Sequence, residues 1–164
     1  TEYVETSEKM YQTVMSNAKY FDILISTAAI ADYKPANYSK TKYKKYENNI
    51  FIEFTRGADI ISSVSEKNRD LFTVGFAAET DSLKKNAEDK LIKKNLDMIV
   101  GNIANHELKL GFESDFNKVT IFTKERVIEI PEAKKSEIAI KILNIVAEEF
   151  ASKISLVNKN VKWS

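Results

Sequence analysis

The chain has 164 residues, enough for one domain with a real core, and 43% hydrophobic and 30% charged residues place it among ordinary globular proteins. A formal net charge of +1, from 25 basic and 24 acidic residues, gives no global reason to expect nucleic acid or a membrane surface as partner. The absence of cysteine excludes disulfides, thiolate metal sites and a thiol nucleophile, and the lone His106 excludes a multi-histidine metal site. No apolar run approaches the roughly 18 residues a bilayer span needs, and no basic-then-apolar leader opens the sequence. The expected compartment is the cytoplasm.

In chain order, Tyr3 to Glu5 reads as a short strand. Thr6 or Ser7 then caps a helix to about Asn17, with Glu8 in the first turn and Met10, Tyr11 and Val14 as its apolar stripe. Phe21 to Ala28 reads as a buried strand of a parallel sheet, because Ile23-Leu24-Ile25 is apolar, β-branched and too short for a helix. It gives way to Ser26, Thr27, Ala28 and Ala29, small residues that let a ligand approach the backbone, and then to Asp32 and Pro35. Ligands of open α/β sheets bind just past the carboxyl ends of the strands. This strand end is therefore a candidate site, although a plain solvated loop accounts for the same residues.

Residues 39 to 54 alternate Lys40, Lys42, Lys44 and Lys45 with Thr41, Tyr43 and Tyr46, turn at Asn48-Asn49, and return as Ile50 to Phe54. The pattern predicts a hairpin or arm on the rim of the sheet. A lysine-studded edge that blocks aggregation, an anion-gripping flap and a dimer arm all remain open. Gly57-Ala58-Asp59 opens a helix to about Asn68, with Ile60, Ile61 and Val64 inward. Leu71 to Ala78 is the next buried strand and again ends in small residues and an acid, Glu79. Thr80 or Asp81 is expected to cap a helix to about Asn95, on which Lys90 and Lys94 share a face. Asp97 to Val100 is a strand, closed by Gly101-Asn102.

Asn105 to Asp115 reads as an irregular polar loop holding His106. Asn117 to Thr123, a turn at Lys124-Glu125 and Arg126 to Ile130 form a hairpin that Pro131 is expected to stop. The longest helix is predicted over Glu132 to about Ala151, with Ile138, Ile142, Ile145, Val146 and Phe150 on its core face. Residues 152 to 164 read as a tail. The sum is a single α/β domain over 1 to 151. Its sheet is Rossmann-like, mostly parallel and flanked by helices, with a C-terminal antiparallel hairpin and a protruding β arm.

Five stretches, in order and with matching spacing, resemble phosphopantothenoylcysteine synthetase. They are Ala-Ala-Ile-Ala-Asp-Tyr (28 to 33), Lys-Tyr-Lys-Lys (42 to 45), Gly-Phe-Ala-Ala-Glu-Thr (75 to 80), Lys-Lys-Asn-Leu-Asp (93 to 97) and Gly-Phe-Glu-Ser-Asp-Phe-Asn (111 to 117). The likeness covers residues 4 to 150. It implies coenzyme A biosynthesis: CTP-dependent ligation of 4′-phosphopantothenate with cysteine through an acyl-CMP intermediate, with magnesium accompanying the triphosphate. In bacteria the domain is often the C-terminal half of a bifunctional protein that also carries a decarboxylase.

By the same resemblance, Lys42 is the catalytic lysine, held against the phosphates or the acyl-CMP. Lys90 and Lys94 contact the nucleotide. Ser26, Thr27 and Ala28 lie at the base, and Phe76 lies against it. Asp32 touches the nucleotide or its metal, and the turn through Gly57, Ala58, Asp59 and Ile60 offers backbone donors at a helix start. A homodimer through the 39 to 54 arm is implied as well.

Two departures bear on this. Gly57-Ala58 stands where family members often carry Asn-Pro. The family's Gly-rich segment, with its catalytic asparagine and phosphate nest, has no counterpart among the four glycines, Gly57, Gly75, Gly101 and Gly111. The expectation is an N-terminally truncated domain that binds CTP weakly and does not complete the reaction alone. The alternatives are a nucleotide-binding module without ligase activity and a dimerisation half.

Overall fold

A computed structural model of the chain describes residues 1–37, 49–103 and 114–161, with the side chains of 157–161 excepted. Lys42, Lys44, Lys45, His106, Gly111, Phe112 and Trp163 lie outside the described residues.

The elements in chain order are α1 (Ser7–Asn17), a 3-10 turn (Ala18–Tyr20), β1 (Ile23–Ser26), β2 (Tyr33–Pro35), β3 (Phe54–Arg56), α2 (Ile60–Lys67), β4 (Phe72–Glu79), α3 (Leu83–Lys93), β5 (Met98–Ile103), β6 (Phe116–Thr123), β7 (Val127–Lys134) and α4 (Lys135–Val161). The main sheet has the order β1-β4-β5-β6-β7, and β2 and β3 form a separate two-stranded sheet. β1, β4 and β5 run parallel, as βα units require. β6 and β7 close the sheet as an antiparallel hairpin. The described helices include none long and apolar enough to cross a membrane.

Alternation along the strands divides the core between two faces. Phe72 and Val74 of β4, Met98 and Val100 of β5, and Val119 and Ile121 of β6 pack with Ile138, Ile142 and Val146 of α4. The opposite parity, Ala77, Ile99 and Phe122, packs with Ile61 of α2 and Ala87 and Leu91 of α3. Behind α2, Val64 and Ile60 meet the stripe of α1, including Met10, Tyr11 and Val14. Thr6 caps α1, its hydroxyl accepting from the Lys9 amide at 3.1 Å.

The structure corrects several boundaries. Tyr3 to Glu5 is not a strand; among the described residues no strand pairs with it, and Tyr3 is almost wholly exposed. β1 is shorter than Phe21 to Ala28, because its pairing with β4 spans only Ile23 to Ser26. Among the described residues Ile50 to Ile52 have no strand partner either; the described strand there is β3, which lies antiparallel to β2 with Lys34 opposite Thr55. Neither Thr80 nor Asp81 caps α3. The cap position is Ser82, at φ 47°, and its side chain makes no capping bond.

Pro131 does not stop β7. The β6–β7 register shifts between Asn117 and Val119, leaving an extra residue on β7 where Pro131 falls. A missing N–H at a bulge on an edge strand breaks no ladder bond. β7 thus reaches Lys134, and α4 begins at Lys135 instead of Glu132. α4 also passes the expected end at Ala151 and runs to Val161. Lys153 anchors this extension: its Nζ donates to Asp97 Oδ2 and to the Leu71 carbonyl, each at 3.0 Å. A polar anchor of this kind leaves no trace in hydrophobic periodicity.

Candidate functional site

The carboxyl ends of β1 and β4 open into a cleft of about 370 Å³. The backbone explains its position. After Ser26 the chain leaves β1 through Ala28 to Asp32, enters β2, and returns through β3 to the start of α2. Gly57 draws these segments together: its N–H donates to the Asp32 carbonyl at 2.7 Å. A Cβ at Gly57 would stand 3.3 Å from the Ala31 carbonyl oxygen, so the close approach favours glycine.

Ser26, Ala28, Asp32, Gly57, Ala58, Asp59, Ile60, Phe76, Lys90 and Lys94 all line this cleft. Of the residues the sequence pointed to, Thr27 is not in the lining, and Lys42 lies outside the described residues. Phe76 is partly exposed at the rim. Alternation along β4 gives its side chain the parity of Phe72 and Val74, so its backbone faces the cleft beside Gly75 and Ala77.

The sequence reading missed the floor, made by Ile61, Leu96 and Ile99. These residues are apolar like any core position, and only the packing of α2 and α3 on β4 and β5 brings them under the cleft. Gly75 belongs to the same floor: a Cβ there would meet Leu96 Cδ1 at 2.9 Å.

Two ion pairs order the rim. Lys94 Nζ lies 2.9 Å from Asp59 Oδ2, and Lys90 Nζ lies 2.6 Å from Glu79 Oε1. Asp59 is also the N-cap of α2, accepting from the Ser62 amide at 3.2 Å. Ser65 fixes the far end of this unit, its hydroxyl donating to the Lys94 carbonyl at 2.6 Å. Burial alone pushes the Asp59 carboxyl up, but the Lys94 ammonium and the Ser62 amide together outweigh it and hold the group below its ordinary value.

The stability consequence has a definite sign. The Asp59 contribution is present above the unfolded value near 3.8 and is lost as pH falls through the lower folded value. Asp59→Asn keeps a capping side chain and removes the charge. The wild type should melt higher than this variant at about pH 6, and the two melting temperatures should converge as pH falls below about 4.

Among the described residues, the cleft wall carries three basic groups, Arg56, Lys90 and Lys94, against two acids, Asp32 and Asp59. No cluster of three or more His, Cys, Asp or Glu that could hold a metal by protein ligands alone occurs among the described residues. Asp32 is a single exposed carboxylate facing the cleft. Such a group suits a hard cation that brings its own phosphate oxygens, as Mg²⁺ does with nucleotides.

A mostly parallel βα sheet with a cation-rimmed cleft at its carboxyl edge defines a Rossmann-like α/β domain. The chain belongs to the family described as DNA/pantothenate metabolism flavoprotein C-terminal domain, whose model matches residues 1–150. It is 37% identical over 150 residues to the Coenzyme A biosynthesis bifunctional protein CoaBC of Vibrio cholerae, covering 89% of this chain and 37% of that protein. It is 38% identical over 146 residues to the protein of the same name from Borreliella burgdorferi, covering 87% of this chain and 36% of that one. The chain therefore spans a little over a third of the length of these curated relatives.

Among solved structures, the C-terminal domain of a CoaBC protein aligns with a TM-score of 0.70 and 31% identity, over 94% of this chain and 65% of that one. A structure described as a Cab2 mutant in complex with phosphopantothenate-cysteine shares the fold, with a TM-score of 0.70 at 15% identity, over 94% of this chain and 54% of that one.

Proposed function

We propose that this domain serves coenzyme A biosynthesis as the nucleotide-holding part of a phosphopantothenate–cysteine ligase that uses CTP. The observation that carries the reading is the rim of the cleft. Lys90 of α3 and Lys94 at its C-cap, each held by an acid from a different element, line the cleft together with the start of α2 and the exposed Asp32. A triphosphate carries about four negative charges, and such transfers proceed chiefly through electrostatic stabilisation of the phosphates.

In this reading the carboxylate of 4′-phosphopantothenate attacks the α-phosphorus of CTP, and pyrophosphate leaves. The amine of L-cysteine then attacks the acyl carbon of the mixed anhydride, forming the amide and releasing CMP. Lys90 and Lys94 bind the phosphate chain. Backbone groups at Ala28 and its neighbours read the base. Lys42 stabilises the phosphates or the acyl-CMP. Asp32 would hold the Mg²⁺ that accompanies the triphosphate and offsets its charge. A cytoplasmic location accords with these substrates.

A homodimer through the 39 to 54 arm belongs to the same reading. Ile50, Phe51, Ile52 and Phe54, at the root of that arm, are all largely exposed, which suits a surface that a partner covers.

Calorimetric titration of the chain with CTP, ATP and GTP, each with and without Mg²⁺, tests the assignment. CTP should bind more tightly than the other two, and Mg²⁺ should strengthen it. Equal binding of all three would reduce the domain to an unselective nucleotide module.

A further inference from the structure

Glu79 sits where an acid is out of place. It ends β4 beside a cleft whose cations suit an anion, and a carboxylate there repels the same ligand that Lys90 attracts. Both of its oxygens are engaged. Oε1 accepts from Lys90 Nζ at 2.6 Å, and Oε2 accepts from Asn86 Nδ2 at 2.9 Å. Asn86 and Lys90 lie four residues apart, on one face of α3. One carboxylate at the end of a buried strand thus grips two successive turns of the helix.

The exposures show which partner faces outward. The Glu79 side chain is 15% exposed and that of Lys90 44%, so the acid lies behind the ammonium. The neighbouring lysines of α3 behave differently. Lys84 pairs with Glu88 at 4.0 Å and Lys93 with Asp89 at 3.6 Å, each within the helix, with both lysines about three-quarters exposed. Such pairs contribute little. Lys90 instead leaves its own helix for an acid fixed in the sheet. It donates one short bond backward and keeps donors for a ligand in front, since an ammonium has three. The entrance to α3 lacks a side-chain cap at Ser82, so the Glu79–Asn86 bond also holds the helix start.

We propose that Glu79 is a positioning residue that aims Lys90 at a polyphosphate in the cleft, an inference that rests on the nucleotide reading above. Its role is orientation: it narrows the rotamers of a long, flexible side chain before the anion arrives, and so lowers the ordering cost of binding.

Charge and orientation predict opposite signs, which makes the inference testable. Removing a carboxylate from the rim of an anion site should tighten binding if charge alone matters. The probe is inorganic tripolyphosphate, titrated into the chain carrying Glu79→Gln, Lys90→Gln or both, with thermal melts to verify folding. Glu79→Gln should weaken binding about three- to tenfold, the range set by the net worth of one hydrogen bond. It should have no further effect once Lys90 is Gln. Glu79→Asp keeps the charge but withdraws it by one methylene, and should weaken binding in the same direction; it stands in if the Gln variant fails to fold.

Tighter or unchanged binding in Glu79→Gln would overturn the proposal. Equal weakening with and without Lys90 would do the same, since the effect would then not pass through that lysine. If tripolyphosphate binds in a Glu79-dependent way but CTP shows no advantage over ATP, the CTP assignment fails and the role of Glu79 stands. A chain that binds neither overturns both.

Discussion

Lys90→Gln is expected to weaken CTP binding by about ten- to a hundredfold, because a hydrogen bond from a charged group is worth about 1.5–3 kcal/mol. Gln preserves most of the side chain's length and its apolar stem, so the loss isolates the ammonium. Lys90 is the more exposed of the two cleft lysines, at 44% against 31% for Lys94, and its charge is the more accessible to a ligand. The effect should shrink as salt rises, since the partly exposed ammonium is screened. A change of less than about twofold, measured by calorimetry at low salt, would remove Lys90 from the site. The melting temperature should fall by no more than about 2–4 °C, because a partly exposed ion pair contributes at most about 1 kcal/mol.

Phe122→Ala should have the largest effect on stability. The ring is 2% exposed and fills the space between Ile99 on the sheet and Ala87 and Leu91 of α3. Removing a buried aromatic ring costs about 3–5 kcal/mol through lost transfer energy and the cavity left behind. For a domain of this size each kcal/mol lowers the melting temperature by about 2–4 °C, so the expected drop is about 6–20 °C. The consequence reaches the site, because α3 carries Lys90 and rests on this cluster. A drop under about 2 °C would mean that α3 is held by something other than the face containing Phe122.

How far the site could be read from the sequence depends on the range of the interactions that build it. Phe72 to Val74 announce a buried parallel strand because their composition alone demands two covered faces, whereas Ile23 to Ile25 announce a parallel strand correctly but are only half-buried, since β1 ends the described sheet. Ile138, Ile142 and Val146 announce the core face of α4 through their spacing. The end of β1 at Ser26, the carboxyl half of β4 from Gly75 to Ala78, and the helix start at Asp59 sit at one edge, in accord with the rule that ligands bind at the carboxyl ends of such sheets. The pairing of Lys94 with Asp59 and of Lys90 with Glu79 was not legible, since it spans 35 and 11 residues of sequence and arises only when α2 and α3 lie side by side on β4.

The misread boundaries share a cause. The bulge that admits Pro131 and the Lys153 anchor that extends α4 are set by a partner element, and no local propensity encodes a partner. The β3 strand was displaced for the same reason. Ile50 to Ile52 have strong strand composition, yet among the described residues it is Phe54 to Arg56 that have a neighbour, β2.

A crystal structure of the chain with CTP and Mg²⁺ bears most directly on whether the cleft holds a cytidine polyphosphate. The account predicts phosphate oxygens within hydrogen-bond reach of Lys90 Nζ and Lys94 Nζ, the metal beside Asp32, and the cytosine edge against the backbone near Ala28. Nucleotide bound on another face, with the cleft between α2 and α3 left to solvent, would contradict it.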